Sequence, residues 1–214
     1  MESEAVRLYA GERFHRAELA GLERDLPIVE IGPGMWIASD AGLILGDVEF
    51  LSRSALLLSE RVKRFDPEVV LTAEAKSIAL AYELSRLLGH DRFVVARKTL
   101  KAYMGDHISQ EVKSITTRSV QQLLLTREEA GYISGRRVCL LDDVVSTGST
   151  LRALEATAGK AGGDVVCRAA VWREGPWYDQ TDLICLGLLP VYVSDTNELW
   201  RLARGQQGAK EGRS

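Results

Sequence analysis

Two neighbouring carboxylates, Asp142 and Asp143, close an apolar, β-branched run and are followed directly by Val144-Val145-Ser146-Thr147-Gly148-Ser149-Thr150. A run of this kind predicts a strand buried on both faces, and the small-residue stretch ahead of an apolar-periodic segment predicts a helix start. Backbone N–H groups at a helix start have no intrahelical partner, and the positive end of the helix dipole reinforces them, so a phosphate monoester is held well there. Thr147, Gly148, Ser149 and Thr150 would form that cradle. Ionised carboxylates only accept hydrogen bonds, so Asp142 and Asp143 suit the vicinal hydroxyls of a ribose whose own 5′-phosphate lies in the cradle. Their negative charge would also favour cationic character at the anomeric carbon. The competing reading, two acids that merely cap the next helix, accounts for Asp-Asp but not for the hydroxyl-rich run behind it.

Such a site needs a scaffold, and the flanking pattern supplies one. Apolar residues recur at helical spacing from Asp47 to Phe65, Pro67 ends that helix, and Val69–Thr72 reads as a short buried strand. An amphipathic helix then runs to about Leu88, closed by Gly89, and Phe93–Ala96 is a second strand ending at Arg97-Lys98. Beyond the acidic pair, Leu151–Ala161 is helical, Gly162-Gly163 stops it, Val165–Trp172 is another buried strand, and Leu183–Leu186 and Pro190–Val193 are short terminal strands. Strands alternating with helices imply right-handed βαβ units in a parallel sheet, with ligands at the carboxyl ends of the strands. Three such ends carry polar residues: 73–77, 97–101 and 142–150.

The remaining stretches are read as accessories to that core. Pro27–Ile31 and Met35–Ala38 flank Gly32-Pro33-Gly34 as two short strands joined by a turn, placed in a small hood lobe spanning about 26–46 and 174–195. Residues 1–25 are expected to include a helix packing on the edge of the fold. The polar, glycine-containing loop at about 99–117 has the length and composition of a lid, framed by a hairpin between Val112 and Leu125. Residues 1–204 are expected to form a single domain, and 205–214, too polar to fold, a disordered tail.

Composition narrows the class. A chain of 214 residues with 46% hydrophobic content supports one substantial core. The net charge of −3, with both signs interspersed, argues against a nucleic-acid stripe or a polybasic membrane patch. No apolar stretch reaches the length of a membrane span and Met1-Glu2-Ser3-Glu4 is unlike a secretory signal, so a cytoplasmic protein is expected. Cys139, Cys167 and Cys185 lie in apolar runs and are odd in number, which favours buried reduced thiols. The three histidines have no spacing partners for a metal, and His15 and His90 are expected at the surface.

The stretch from Val138 to Leu151 resembles the phosphoribosyl pyrophosphate (PRPP) signature of type I phosphoribosyltransferases, and Thr72-Ala73-Glu74-Ala75-Lys76-Ser77-Ile78-Ala79 is similar to the matching stretch of the xanthine and adenine enzymes. The resemblance covers roughly residues 27–195. It implies a parallel twisted sheet flanked by helices, with a hood and a flexible lid. Asp142 to Thr150 would bind the ribose and 5′-phosphate of PRPP, and Ala73, Glu74, Ala75 and Lys76 would form a pyrophosphate loop, which in this family often holds a cis peptide. Ser77 stands where those relatives often have glycine. Arg97, Lys98 and Lys101 would add cations for pyrophosphate. Lys101, Tyr103, Glu111 and Lys113 would belong to the lid, with Lys101 and Glu111 joining Asp142 and Asp143 in the catalytic set. The base pocket leaves little trace in sequence, and Trp36 and Trp177 are its candidates. Mg²⁺ would arrive with PRPP, with no all-protein metal site, and the protein would be a homodimer.

The function so implied is transfer of the phosphoribosyl group to a purine in purine salvage. Adenine is favoured, with xanthine or hypoxanthine/guanine as alternatives and orotate or another pyrimidine behind them. A protein of the same fold that only senses PRPP is the alternative from another class. The segment ahead of the hood is too short for a winged-helix DNA-binding domain and shows no basic recognition helix.

Overall fold

The computed structural model describes residues 5–100, 106–113, 120–178, 180–195 and 197, with backbone alone for 110–113, 120 and 121. In chain order the strands are β1 (Val6–Leu8), β2 (Phe14–Leu19), β3 (Leu22–Gly32) and β4 (Met35–Ala38), then β5 (Val69–Ala73), β6 (Val94–Ala96), β7 (His107–Lys113), β8 (Val120–Thr126), β9 (Arg137–Val145), β10 (Asp164–Glu174), β11 (Leu183–Leu189) and β12 (Val191–Val193). The helices are α1 (Ala41–Gly46), α2 (Val48–Val62), α3 (Ile78–Leu88), α4 (Arg127–Ile133) and α5 (Ser149–Lys160).

The central sheet is parallel, in the order β11-β10-β9-β5-β6. Its strands are buried on both faces because alternate side chains enter two different cores. Val70, Cys139, Leu141, Ala169 and Val171 pack with Phe50, Leu58, Leu80 and Leu84 of α2 and α3. Their neighbours Val69, Leu71, Val138, Leu140 and Ala170 pack with Leu151, Leu154 and Ala158 of α5 and with Ala130 and Ile133 of α4. This division follows from the period of two along a strand and explains why the strands read as unbroken apolar runs. Each fully buried Leu contributes about 1.5–3 kcal/mol. The three cysteines are free, Cys139 and Cys167 buried and Cys185 half-buried.

Sequence order runs from β5 outward to β6 and then back across to β9, so the chain reverses direction between β5 and β9. A crevice opens at the carboxyl ends of strands at such a switch point. Here β9 pairs with β5 only as far as Leu141 but with β10 as far as Val145, which leaves Asp142 and Asp143 beside the crevice past the last rung of β5. The strand therefore continues through the two carboxylates and does not stop at them.

A second sheet, in the order β1-β12-β4-β3-β2, forms the hood. It corrects the expected helix in residues 1–25, which instead supply β1, β2 and the start of β3. Ala17 and Leu19 alternate with exposed Arg16 and Glu18, and Ala20 and Gly21, both at positive φ, join β2 to β3 in a two-residue hairpin that pairs Leu19 with Leu22. The second hood segment is also narrower than expected. Only β12 joins the hood, while β11 extends the central sheet.

The hairpin in the lid region begins earlier than expected. β7 pairs with β8 over His107–Lys113 and Val120–Thr126, so residues 107–113 are strand and not open loop. It is fastened to the sheet by Arg97 and Leu124, which exchange both backbone hydrogen bonds, and to α5 by Lys160, whose Nζ donates to Ser109 O at 2.7 Å. α4 follows at once, opened by a reciprocal cap between Thr126 and Glu129. Lys101, Tyr103, the stretch 114–117, the side chains of Glu111 and Lys113, and the tail 205–214 lie outside the described residues. His15 and His90 are half-buried and not free at the surface. His15 Nδ1 meets Tyr192 Oη at 2.9 Å, and His90 Nε2 meets Pro67 O at 2.9 Å.

Candidate functional site

Three strand ends meet at the crevice. Past β5, residues 74–77 form a tight turn into α3 in which the Glu74–Ala75 peptide is cis, as the resemblance implies. The turn is anchored on both sides: Glu74 N donates to Ala96 O at 2.9 Å, and Lys98 N donates to the Glu74 carboxylate at 3.1 Å. Lys76 is exposed at its tip. Past β6, Lys98 reaches the same cleft. Past β9, Gly148 at φ 75° caps α5, and having no side chain it leaves the first N–H groups of the helix uncapped.

Asp142 and Asp143 are 9% and 8% exposed. Both line the same polar cleft. Ser77, the residue standing in for glycine, is buried between them, with its hydroxyl 3.4 Å from an oxygen of each. Burial first, and the neighbouring Asp143 second, push the Asp142 carboxyl up to about 8.

Two clefts share a wall here. The first is polar, about 580 Å³ including its open mouth, and is lined by residues 73–77, Lys98, Asp142, Asp143, Val144 and Thr150. The second is more apolar, about 700 Å³, and runs beneath the hood along Leu26, Ile37, Leu43, Trp172 and Leu189. Lys76, Asp143 and Val144 line both. Ser39, Asp40, Ser146 and Glu174 are the further polar residues of the second cleft. Among the described residues, no group of three or more His, Cys, Asp or Glu is arranged to hold a metal.

The structure thus brings together Ala73 to Lys76, Lys98, Asp142 to Val144, Ser146 and Thr150. It gives other uses to four residues. Arg97 directs its guanidinium at the Glu129 carboxylate, at 2.7 and 2.9 Å, and lines neither cleft. Val145 has its side chain in the α5 core, so only its backbone is at the loop. Trp36 stacks on Tyr9 with ring centroids 4.2 Å apart, and Trp177 packs beside Gly175 close to Val191, so neither lines the base-sized cleft. The base-pocket expectation fell on the hairpin around Trp36 and the loop 173–178, and of that loop Glu174 lines the apolar cleft; the apolar lining from Leu26, Trp172 and Leu189 was not anticipated. Glu174 is the charged residue at the carboxyl end of a buried strand.

Crevice, uncapped helix start and paired buried acids define an α/β protein that handles a phosphorylated sugar. The phosphoribosyl transferase domain family matches residues 48–176, and the chain belongs to that family, as a type I phosphoribosyltransferase and hence an enzyme of the glycosyltransferase kind. It is 27% identical over 157 residues to the adenine phosphoribosyltransferase of Petrotoga mobilis, covering 72% of this chain and 87% of that one. It is 33% identical over 106 residues to the hypoxanthine/guanine phosphoribosyltransferase of Methanosphaerula palustris, covering 50% and 54%. In fold it is similar to the adenine phosphoribosyltransferase of Thermoanaerobacter pseudethanolicus, with a TM-score of 0.61, 21% identity and coverage of 76% of this chain and 95% of that one. The Trypanosoma brucei enzyme, solved with AMP, pyrophosphate and ribose-5-phosphate, gives a TM-score of 0.58 at 20% identity, covering 82% and 76%. No helix among the described residues is long and apolar enough to cross a membrane.

Proposed function

We propose that this enzyme transfers the 5-phosphoribosyl group of PRPP to a purine, adenine first among them, releasing pyrophosphate and a nucleoside monophosphate. The observation that carries the reading is the shared wall of the two clefts. A group bridging them has its phosphates in the polar one and a flat base in the apolar one, with the anomeric carbon beside Asp143. In the reaction the bond from that carbon to the pyrophosphate oxygen breaks, the leaving group keeping the electron pair. A bond to the purine ring nitrogen forms, and the proton on that nitrogen passes to the released pyrophosphate or to water. The uncapped N–H groups of α5 hold the 5′-phosphate, the two carboxylates accept from the ribose hydroxyls and favour positive charge at the anomeric carbon, and Lys76 and Lys98 face the pyrophosphate. Mg²⁺ carried in on the phosphates of PRPP would fit this cleft, where Glu74, Asp142 and Asp143 stand beside Lys76 and Lys98. When bound, the metal spreads the charge of the leaving pyrophosphate.

Pyrophosphate release with PRPP, Mg²⁺ and a panel of adenine, hypoxanthine, guanine, xanthine and orotate tests the reading, alongside calorimetric titration of PRPP with Mg²⁺. Binding heat and release with adenine are expected. A folded protein that takes up no PRPP would end the proposal. The similarity to a hypoxanthine/guanine enzyme makes those bases the second choice, and the same panel decides between them. Lys76→Ala is expected to raise the Michaelis constant for PRPP about tenfold to a hundredfold, the loss of one hydrogen bond to a charged group. An unchanged constant would take Lys76 out of the pyrophosphate site.

A further inference from the structure

Arg97 lines neither cleft, yet it stands one residue before Lys98, which lines the polar one. The support at this point is thin. β6 has three residues, lies at the edge of the central sheet and pairs with β5 only over Val94–Ala96, so the rungs to β5 stop before Arg97 and Lys98. What holds the chain there is the buried carboxylate of Glu129 in the first turn of α4. Arg97 Nη1 donates to both of its oxygens, at 2.7 and 2.9 Å, and to Val95 O at 3.1 Å. The Arg97 backbone exchanges its hydrogen bonds with Leu124 at 2.9 and 2.8 Å. From there the contacts run on into the polar cleft: Lys98 N donates to the Glu74 carboxylate at 3.1 Å, and Glu74 N donates to Ala96 O at 2.9 Å. They end at the turn that carries Lys76.

We propose that Glu129 is a positioning residue for pyrophosphate: through Arg97 it fixes the chain from which Lys98 and the 74–77 turn face the leaving group. The inference rests on the transferase reading above and adds a residue that touches neither substrate. Glu129 lines neither cleft, so its effect passes through Arg97 and the backbone. Its carboxylate has a second use, accepting from Thr126 N and Oγ1 at 2.9 and 3.0 Å and so capping α4. Capping alone needs no cation. The ion pair is largely out of water, with 23% of the Arg97 side chain and 10% of the Glu129 side chain exposed, and separating such a pair would leave a charge buried without its partner. The strand end is therefore tied to α4 by a contact that is costly to break. On the transferase reading the nucleoside monophosphate rests elsewhere, on the 147–150 loop and in the hood cleft, so damage along this path falls on pyrophosphate and spares the other substrate.

The test is the reverse reaction, in which pyrophosphate and the monophosphates of adenosine, inosine, guanosine and xanthosine give free base and PRPP. It is run on the wild type, Glu129→Gln and Thr126→Ala, with thermal unfolding on each. Gln keeps the shape and an acceptor for Thr126 but gives up the charge that holds Arg97. It should raise the Michaelis constant for pyrophosphate about tenfold and keep that for the monophosphate within about threefold of wild type, the scale of a sub-ångström shift of a positioning group. Thr126→Ala weakens the cap alone and should lower the unfolding temperature with both constants unchanged. A folded Glu129→Gln variant with an unchanged pyrophosphate constant overturns the inference. So does an equal rise in both constants, or the same selective loss in Thr126→Ala. Should Glu129→Gln fail to fold, Arg97→Met combined with Glu129→Gln removes both charges and is judged by the same two constants. A wild type that turns over none of the monophosphates removes the transferase reading and this inference together, whereas a wild type that does so leaves the reading standing whatever the variants show.

Discussion

Asparagine at both 142 and 143 is expected to lower turnover by about a thousandfold or more, the scale lost when charge aimed at a developing cation is removed from a water-poor site. The substitution keeps shape and most hydrogen-bonding capacity, so the change isolates charge. Stability should move the other way. The Asp142 carboxyl, raised to about 8 by burial and by Asp143, holds in the folded state a proton that the unfolded chain releases near its ordinary value of 3.8. The folded state thus binds more protons across that window, and its contribution to stability is present at low pH and lost as pH rises from about 4 to about 8. Asp142→Asn removes this dependence. Without ligand, the single variant should unfold several degrees above wild type at pH 8, with the difference shrinking toward pH 5, as followed by thermal denaturation. Near-normal turnover in the double variant would refute the role of the pair. A wild type whose stability is flat across the window would refute the burial account.

How far such a site can be read in advance depends on how local its chemistry is. The 142–150 loop is one contiguous stretch with strand, acids and helix start in order, so the residue types alone carried its meaning. The turn at 73–77 followed from the rule that parallel strands present ligands at their carboxyl ends. The apolar cleft had no such trace. Leu26, Ile37, Trp172 and Leu189 come from four separated strands and are the same residue types that fill the two cores. The pairing of Arg97 with Glu129 was not legible, because Glu129 lies 32 residues away on a helix that the strand pattern did not announce. The stacking of Trp36 on Tyr9 was hidden for a different reason, because Tyr9 lies just past β1, in a segment read as helix. Both are contacts between distant segments, which local periodicity does not encode.

Gly148→Ala is expected to raise the Michaelis constant for PRPP about a hundredfold or more, the cost of displacing a positioning loop by about an ångström. Two separate effects act at this turn. The backbone is left-handed, at φ 75°, where a side chain costs about 1–2 kcal/mol. An added Cβ would also lie 2.6 Å from Cδ2 and Cε2 of Tyr178, closer than carbon atoms approach. The ring has little room to retreat. Tyr178 is buried, and its hydroxyl donates to Asp182 Oδ1 at 3.1 Å. The loop must therefore move, and with it the N–H groups that open α5. Tyr178→Ala in the Gly148→Ala background separates the two effects, since it removes the ring and leaves the backbone conformation strained. Measured as a double-mutant cycle on PRPP affinity, part of the loss should return even though Tyr178→Ala alone lowers the unfolding temperature. If Gly148→Ala binds PRPP as the wild type does, the 5′-phosphate is held elsewhere. If the double variant recovers nothing, the damage comes from the backbone and not from the ring.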